Sequence, residues 1–149
     1  ATVWRNVTPT FVYRALHHMP LVVENGGIAT RDFIFVDDIV DGLVRCASLG
    51  TPGGVYNLAS GAETTILELA ELINEMADNP VPIQVGEKRW WDRSGKRFGC
   101  PDKAAEELGF SAHTSIADGL ERTIHWTREH MDLIEGCVAE HADRMEAEI

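Results

Sequence analysis

The sequence predicts an α/β fold, and three observations carry that reading. Short runs rich in β-branched and aromatic residues recur at residues 21–23, 33–36, 55–59 and 81–85. Between and beyond them lie stretches whose apolar residues repeat at helical spacing. Turn and cap signals separate the two kinds of segment, which is the alternation expected of layered α/β proteins.

The stretch around which the rest is arranged is Thr30-Arg31-Asp32-Phe33-Ile34-Phe35-Val36-Asp37-Asp38-Ile39-Val40-Asp41. Residues 33–36 read as a short buried strand. Asp37 or Asp38 then reads as the cap of a helix opening at Ile39-Val40, with Asp38 and Asp41 favouring its positive end. Arg31 stands at the mouth of the strand, where it is either a rim salt bridge or an anion ligand.

Taken in order, Val3 and Trp4 suggest the end of a strand. Thr8-Pro9 starts a helix, since proline suits the first turn, and Phe11, Val12, Ala15 and Leu16 form its apolar face. His17 and His18 are adjacent and point to different faces, so they do not read as a metal pair. Residues 21–23 form a strand, and Asn25-Gly26-Gly27 a turn in which glycine supplies positive φ. After the organising stretch, Ile39, Val40, Leu43, Val44 and Ala47 share one helix face, and the glycines at 50, 53 and 54 end it. Residues 55–59 read as a strand with both faces buried. Ser60-Gly61 is a turn. Thr65 with Glu68 makes a capping box for a helix through Met76, and Pro80 lies beyond its end. Glu63, Glu68 and Glu71 read as helix-surface residues. Residues 81–85 are a strand, and 86–99 an irregular basic loop containing Trp90 and Trp91. A short helix over 102–108 is stopped by Gly109. Ser115 and Asp118 open a further helix carrying Ile116, Leu120, Ile124 and Trp126. From Glu129 onward the chain is acidic, with Met131, Leu133, Ile134, Val138 and Met145 at roughly helical spacing.

At 149 residues one domain is the default. The formal charge of −11 argues against a nucleic-acid backbone as partner. Charge is unevenly spread, however: Lys88, Arg89, Arg93, Lys96 and Arg97 crowd one loop. Cys46, Cys100 and Cys137 are odd in number and lack metal-ligand spacing, which favours free thiols and a reducing compartment. No signal-peptide pattern or bilayer-length apolar run is read, so a cytoplasmic chain without membrane contact is expected.

The strongest local constellation is Arg31 with the loop Lys88-Arg89-Trp90-Trp91-Asp92-Arg93-Ser94-Gly95-Lys96-Arg97. Arginine grips a diphosphate through paired, charge-assisted hydrogen bonds. An aspartate could accept from a ribose hydroxyl, and the tryptophans could stack on a base. The same loop could equally be a solvated basic surface with its tryptophans in the core. No Gly-rich dinucleotide or phosphate-loop pattern and no Tyr-x-x-x-Lys pair occurs.

Six segments stand in a familiar order: Asn6-Val7 with Pro9, Pro20-Leu21-Val22-Val23, residues 30–38, Val55-Tyr56-Asn57-Leu58, Arg89-x-x-Asp92, and Asp102-Lys103-Ala104 through Leu108-Gly109-Phe110. This order resembles the C-terminal half of the extended short-chain dehydrogenase/reductases. The likeness is greatest to NAD-dependent nucleotide-sugar epimerases of the UDP-glucose 4-epimerase type, and runs over residues 1–130. The resemblance implies an α/β substrate-binding lobe lacking the N-terminal Rossmann half, with residues 131–149 an acidic helical tail outside it. It implies that Asn6 and Val7 contact the phosphate side of a nucleotide-diphosphate sugar. Leu21, Val22 and Val23 would lie along the base, Arg31 and Arg89 would hold the diphosphate, and Asp92 the ribose. Residues 1–6 and 55–59 would be the last two strands of a parallel sheet. NAD and the catalytic Ser/Thr and Tyr-x-x-x-Lys residues would belong to the other half, so the chain alone is expected to bind no cofactor, to carry no catalytic residue or metal, and to be inactive.

The sequence departs from that family in three places. Asn25-Gly26-Gly27 stands where Gly-Asp-Gly is frequent, Trp90-Trp91 where Pro-Gly is common, and the cofactor half is absent. The implied activity is sugar-nucleotide 4-epimerisation in the parent enzyme. The alternatives are the same lobe of a 4,6-dehydratase or decarboxylase, or a non-catalytic interaction module. An exposed sheet edge and helix face would make the chain self-associate or require its missing half.

Overall fold

The computed structural model of the chain describes residues 6–88 and 95–140. Helix α1 (Val7–Leu16) opens at Asn6, whose carbonyl accepts from Thr10 N and Oγ1. Strand β1 (Val22–Glu24) follows, then a single 3-10 turn (Asn25–Gly27) with positive φ at all three residues. Strand β2 (Thr30–Arg31) leads to helix α2 (Val36–Leu49). Next come β3 (Thr64–Thr65), α3 (Ile66–Met76), β4 (Gln84–Gly86) and α4 (Asp102–Leu108). Helices α5 (Ile116–Glu129) and α6 (Met131–Glu140) close the described chain. Strand β1 pairs in parallel with β4, in the register Val22–Gln84, Val23–Val85 and Glu24–Gly86. Strand β2 pairs antiparallel with β3, Thr30 opposite Thr65 and Arg31 opposite Thr64.

Two hydrophobic clusters hold these pieces. The larger joins Phe11, Val12 and Ala15 of α1, Leu21 and Val23, Leu69, Ala70 and Ile73 of α3, and Leu120 and Ile124 of α5. Alternate positions 21 and 23 point inward because strand side chains change face at each residue. The smaller cluster centres on Ala104, Leu108 and Phe110, with Ile34, Cys46, Tyr56 and Leu58 packed on it.

The helix signals translate directly. Thr65 Oγ1 accepts from Glu68 N at 3.0 Å while the Glu68 carboxylate accepts from Thr65 N at 2.7 Å. Ser115 Oγ accepts from Asp118 N at 3.1 Å. Gly109 closes α4 in the left-handed region at φ 62°.

Two strand expectations are corrected. Residues 33–36 form no strand. Residues 32–35 are extended but unpaired, and the α-helix begins at Val36, with Phe35 rather than Asp37 or Asp38 at the cap position. The reason lies in the packing: Phe33 enters the larger cluster and Ile34 the smaller, so an extended tie between two cores carries the alternation of a strand without its ladder. Residues 55–59 likewise pair with no strand among the described residues. Their faces are not both buried: Val55 is 79% exposed, and only Ala59 is buried. The parallel pair found is β1 with β4; of the expected strand over residues 1–6, residues 1–5 lie outside the described ones. Glu63 precedes β3 rather than lying on a helix, and pairs with Lys96 at 3.3 Å.

Helix α2 buries one side and leaves the other bare. Asp38 and Gly42 are buried, whereas Val36, Val40, Leu43 and Val44 are each more than half exposed along one face. Among the described residues no helix is long and apolar enough to cross a membrane.

Candidate functional site

Arg31 reaches its position because β2 pins residues 30–31 against residues 64–65, just before the chain dives between the two clusters. Its Nη1 donates to the Thr30 carbonyl at 2.6 Å and to the Gly95 carbonyl at 3.3 Å. The described end of the basic loop therefore meets Arg31 at Gly95. Beside it opens a cleft of about 710 Å³, lined by Arg31 and Asp32, residues 56–59 and residues 96–99.

Three cations border this cleft, Arg31, Lys96 and Arg97, in a chain of net charge −11. Glu63 offsets Lys96 at 3.3 Å across an exposed pair. The Asp32 carboxylate is occupied by protein donors. Its Oδ1 accepts from Ser60 N at 3.0 Å and Ser60 Oγ at 2.5 Å; its Oδ2 accepts from Gly61 N at 3.0 Å and Gly99 N at 3.4 Å. The 56–59 wall is fixed further. Tyr56 O–H donates to the Glu107 carboxylate at 2.7 Å and accepts from Thr51 N at 3.0 Å. Lys103 Nζ donates to the Val55 carbonyl at 3.1 Å and lies 4.6 Å from the Tyr56 ring centroid. Asn57 Nδ2 donates to the Cys100 carbonyl at 3.3 Å. Phe98 stands exposed at the rim.

Elsewhere, Asp38 anchors α2 to the turn before α5. Its two carboxylate oxygens accept from His113 N at 3.2 Å and Thr114 N at 3.0 Å. Burial pushes this carboxyl up, but the N–H groups of Thr114 and His113, the Thr114 hydroxyl and the His113 charge together hold it below the ordinary carboxylate range. Glu68 is held below that range by the Thr65 N–H and hydroxyl of the capping box.

Of the residues singled out from the sequence, Arg31 lies on the cleft. Arg89 and Asp92, with Trp90 and Trp91, lie outside the described residues. Asn6 is exposed at the start of α1, and Val7 packs against the larger cluster. Leu21 and Val23 have no accessible surface in this chain, whereas Val22 is 40% exposed. Sequence reasoning gave no role to Asp32, Asn57 or Ser60. A signal for Asp32 was present in a carboxylate directly after Arg31 and a Ser-Gly turn with N–H groups to donate. Among the described residues no group of three or more His, Cys, Asp or Glu side chains is placed to hold a metal. The arrangement suits anion binding rather than proton transfer.

Residues 2–59 match the NAD dependent epimerase/dehydratase family. The crystal structure of the Bordetella bronchiseptica enzyme WbmF in complex with NAD+ and UDP aligns with a TM-score of 0.87 and 54% identity, over 97% of this chain and 42% of that one. The chain belongs to the NAD dependent epimerase/dehydratase family. Within the family, UDP-glucose 4-epimerase of Thermotoga maritima, solved with UDP-glucose, aligns with a TM-score of 0.80 at 26% identity, over 85% of this chain and 40% of that one. UDP-glucuronic acid decarboxylase 3 of Arabidopsis thaliana is 34% identical over 116 residues, covering 76% of this chain and 33% of the relative. The chain thus spans about a third to two-fifths of the length of these three proteins. Epimerases and decarboxylases of nucleotide sugars both stand among these family members.

Proposed function

We propose that this chain is the nucleotide-sugar binding lobe of an NAD-dependent sugar-nucleotide 4-epimerase. The observation that carries the reading is the cleft in which Arg31 meets the returning end of the basic loop through the Gly95 carbonyl. Arg31 and Arg89 would clamp the diphosphate between them, with Asp92 accepting from a ribose hydroxyl. Asn6 and Val7 would approach the phosphate side. Leu21, Val22 and Val23 would lie along the base, Val22 being the one of the three with exposed surface.

The chemistry gives the lobe its task. In the parent enzyme the Rossmann half would hold NAD, which would supply the oxidation and re-reduction of sugar C4 by hydride transfer on opposite faces. The sugar must turn over between the two transfers, so it has to be held loosely. Affinity then has to come from the nucleotide, remote from the reacting carbon. A pair of arginines on the diphosphate supplies it without gripping the sugar.

Calorimetry of the chain with UDP tests the reading. Binding is expected, and Arg31→Ala should weaken it about tenfold or more, the worth of one charge-assisted hydrogen bond or a pair. No heat with UDP, or an unchanged affinity in Arg31→Ala, would favour a non-catalytic interaction module instead. The similarity to a UDP-glucuronic acid decarboxylase supports a second reading, the same lobe in an enzyme that decarboxylates its sugar. Assay of the parent enzyme with UDP-glucose and UDP-glucuronic acid separates the two: a C4 epimer favours the first, release of carbon dioxide the second. The free thiols of Cys46, Cys100 and Cys137 support a cytoplasmic setting.

A further inference from the structure

Asp32 sits next to Arg31 at the floor of the cleft, yet it offers a ligand little. A carboxylate has about four acceptor sites, and four donors from this chain already point at it. They come from two places far apart in sequence: Ser60 N, Ser60 Oγ and Gly61 N on one wall, and Gly99 N on the other. The walls also meet where a side chain is missing. A Cβ on Gly99 would lie 2.5 Å from the Cβ of Ala59, an approach no other residue permits without moving the backbone. The segment that Gly99 ends is the one whose Gly95 carbonyl accepts from Arg31.

We propose that Asp32 is a positioning residue for nucleotide binding: it braces the 57–61 and 95–99 walls against each other and so fixes where Arg31 and the basic loop converge. This rests on the nucleotide-binding reading for its consequence, though not for its geometry. Asn is the informative replacement, being the same size. Its NH2 must face either the Ser60 pair or the Gly61 and Gly99 pair, setting donor against donor on one side. Facing the Ser60 pair it loosens the 57–61 wall, and facing Gly61 and Gly99 it loosens both walls; Arg31 is left in place either way.

The test is UDP titration of the chain and of Asp32→Asn, Ser60→Ala, Arg31→Ala and the Asp32→Asn/Arg31→Ala double variant, with amide hydrogen exchange on each. Asp32→Asn is expected to weaken UDP binding about tenfold, and Ser60→Ala, which removes one hydroxyl, about threefold. In the Arg31→Ala background the effect of Asp32→Asn should shrink to less than threefold, because the brace acts through that arginine. A loss of equal size in both backgrounds, or an affinity within twofold of the unmodified chain, overturns the proposal. Should Asp32→Asn not fold, Ser60→Ala decides alone by the same comparison. If the unmodified chain binds no UDP, the nucleotide reading fails by itself. The brace is then decided by exchange: faster exchange confined to the Ser60, Gly61 and Gly99 amides in Asp32→Asn upholds it, and unchanged exchange at all three overturns it.

Discussion

Asp38 receives two backbone N–H groups from the turn before α5, a link between segments more than seventy residues apart. Its folded carboxyl is held below the ordinary range, so the unfolded chain binds the proton more readily. The stability it contributes is therefore fully present above the unfolded value of about 3.9 and is lost as pH falls through the folded one. Asp38→Asn turns an NH2 toward one of those N–H groups and should cost about 2 kcal/mol at neutral pH. Urea unfolding at a series of pH values checks this. The gap between the two proteins should hold from pH 7 to pH 5 and narrow below about pH 4; a gap that widens on acidification would contradict the assignment. Gly27 is bound by a different constraint. Its φ is 67°, and a Cβ there would lie 2.8 Å from the backbone N and the Cβ of Leu67. Gly27→Ala should cost about 2–4 kcal/mol, from left-handed strain together with a contact that backbone cannot yield, read from the shift of the urea midpoint.

Helix α3 shows how an element is fixed by its first turn. Thr65 and Glu68 satisfy each other's orphan groups, and the Thr65 backbone is at the same time the end of the β2–β3 pairing. Thr65→Ala should lower stability by about 1 kcal/mol in thermal or urea unfolding, and Glu68→Gln by less, since an amide oxygen still accepts from Thr65 N. This is also the scale at which the sequence was most legible. Caps announce themselves by local spacing, so α3, α4 and α5 were placed close to their observed bounds from Thr65, Gly109 and Ser115. The strands were harder. Residues 33–36 and 55–59 have the composition of strands because they are extended and partly buried, but a ladder needs a partner that local pattern does not reveal. Asp38 illustrates the same limit: an aspartate at the start of α2 looked like a cap, and only the arrival of residues 113–114 explains why it is buried. Arg31 was recognisable as a candidate because a charge at the mouth of an apolar run is out of place. Asp32 was not, since its four donors come from two other stretches of chain, residues 60–61 and Gly99.

At the scale of the whole molecule, α2 is half a helix interface. Val36, Val40, Leu43 and Val44 present a continuous apolar stripe with nothing among the described residues covering it. The isolated chain should therefore self-associate. Sedimentation velocity is expected to show species larger than a monomer, and Val40→Lys with Leu43→Glu and Val44→Lys should give a monomer of unchanged helix content. A monodisperse unmodified monomer would count against this. The walls of the cleft have a practical consequence of their own. Asp32 ties into Ser60, Gly61 and Gly99, Tyr56 into Glu107, and Lys103 into the Val55 carbonyl. Anyone exchanging the basic loop for that of a relative, to retune the ligand it accepts, would thus be cutting one side out of a knotted frame. Such a chimaera should tolerate the transplant only when residues 56–61 travel with it from the same donor.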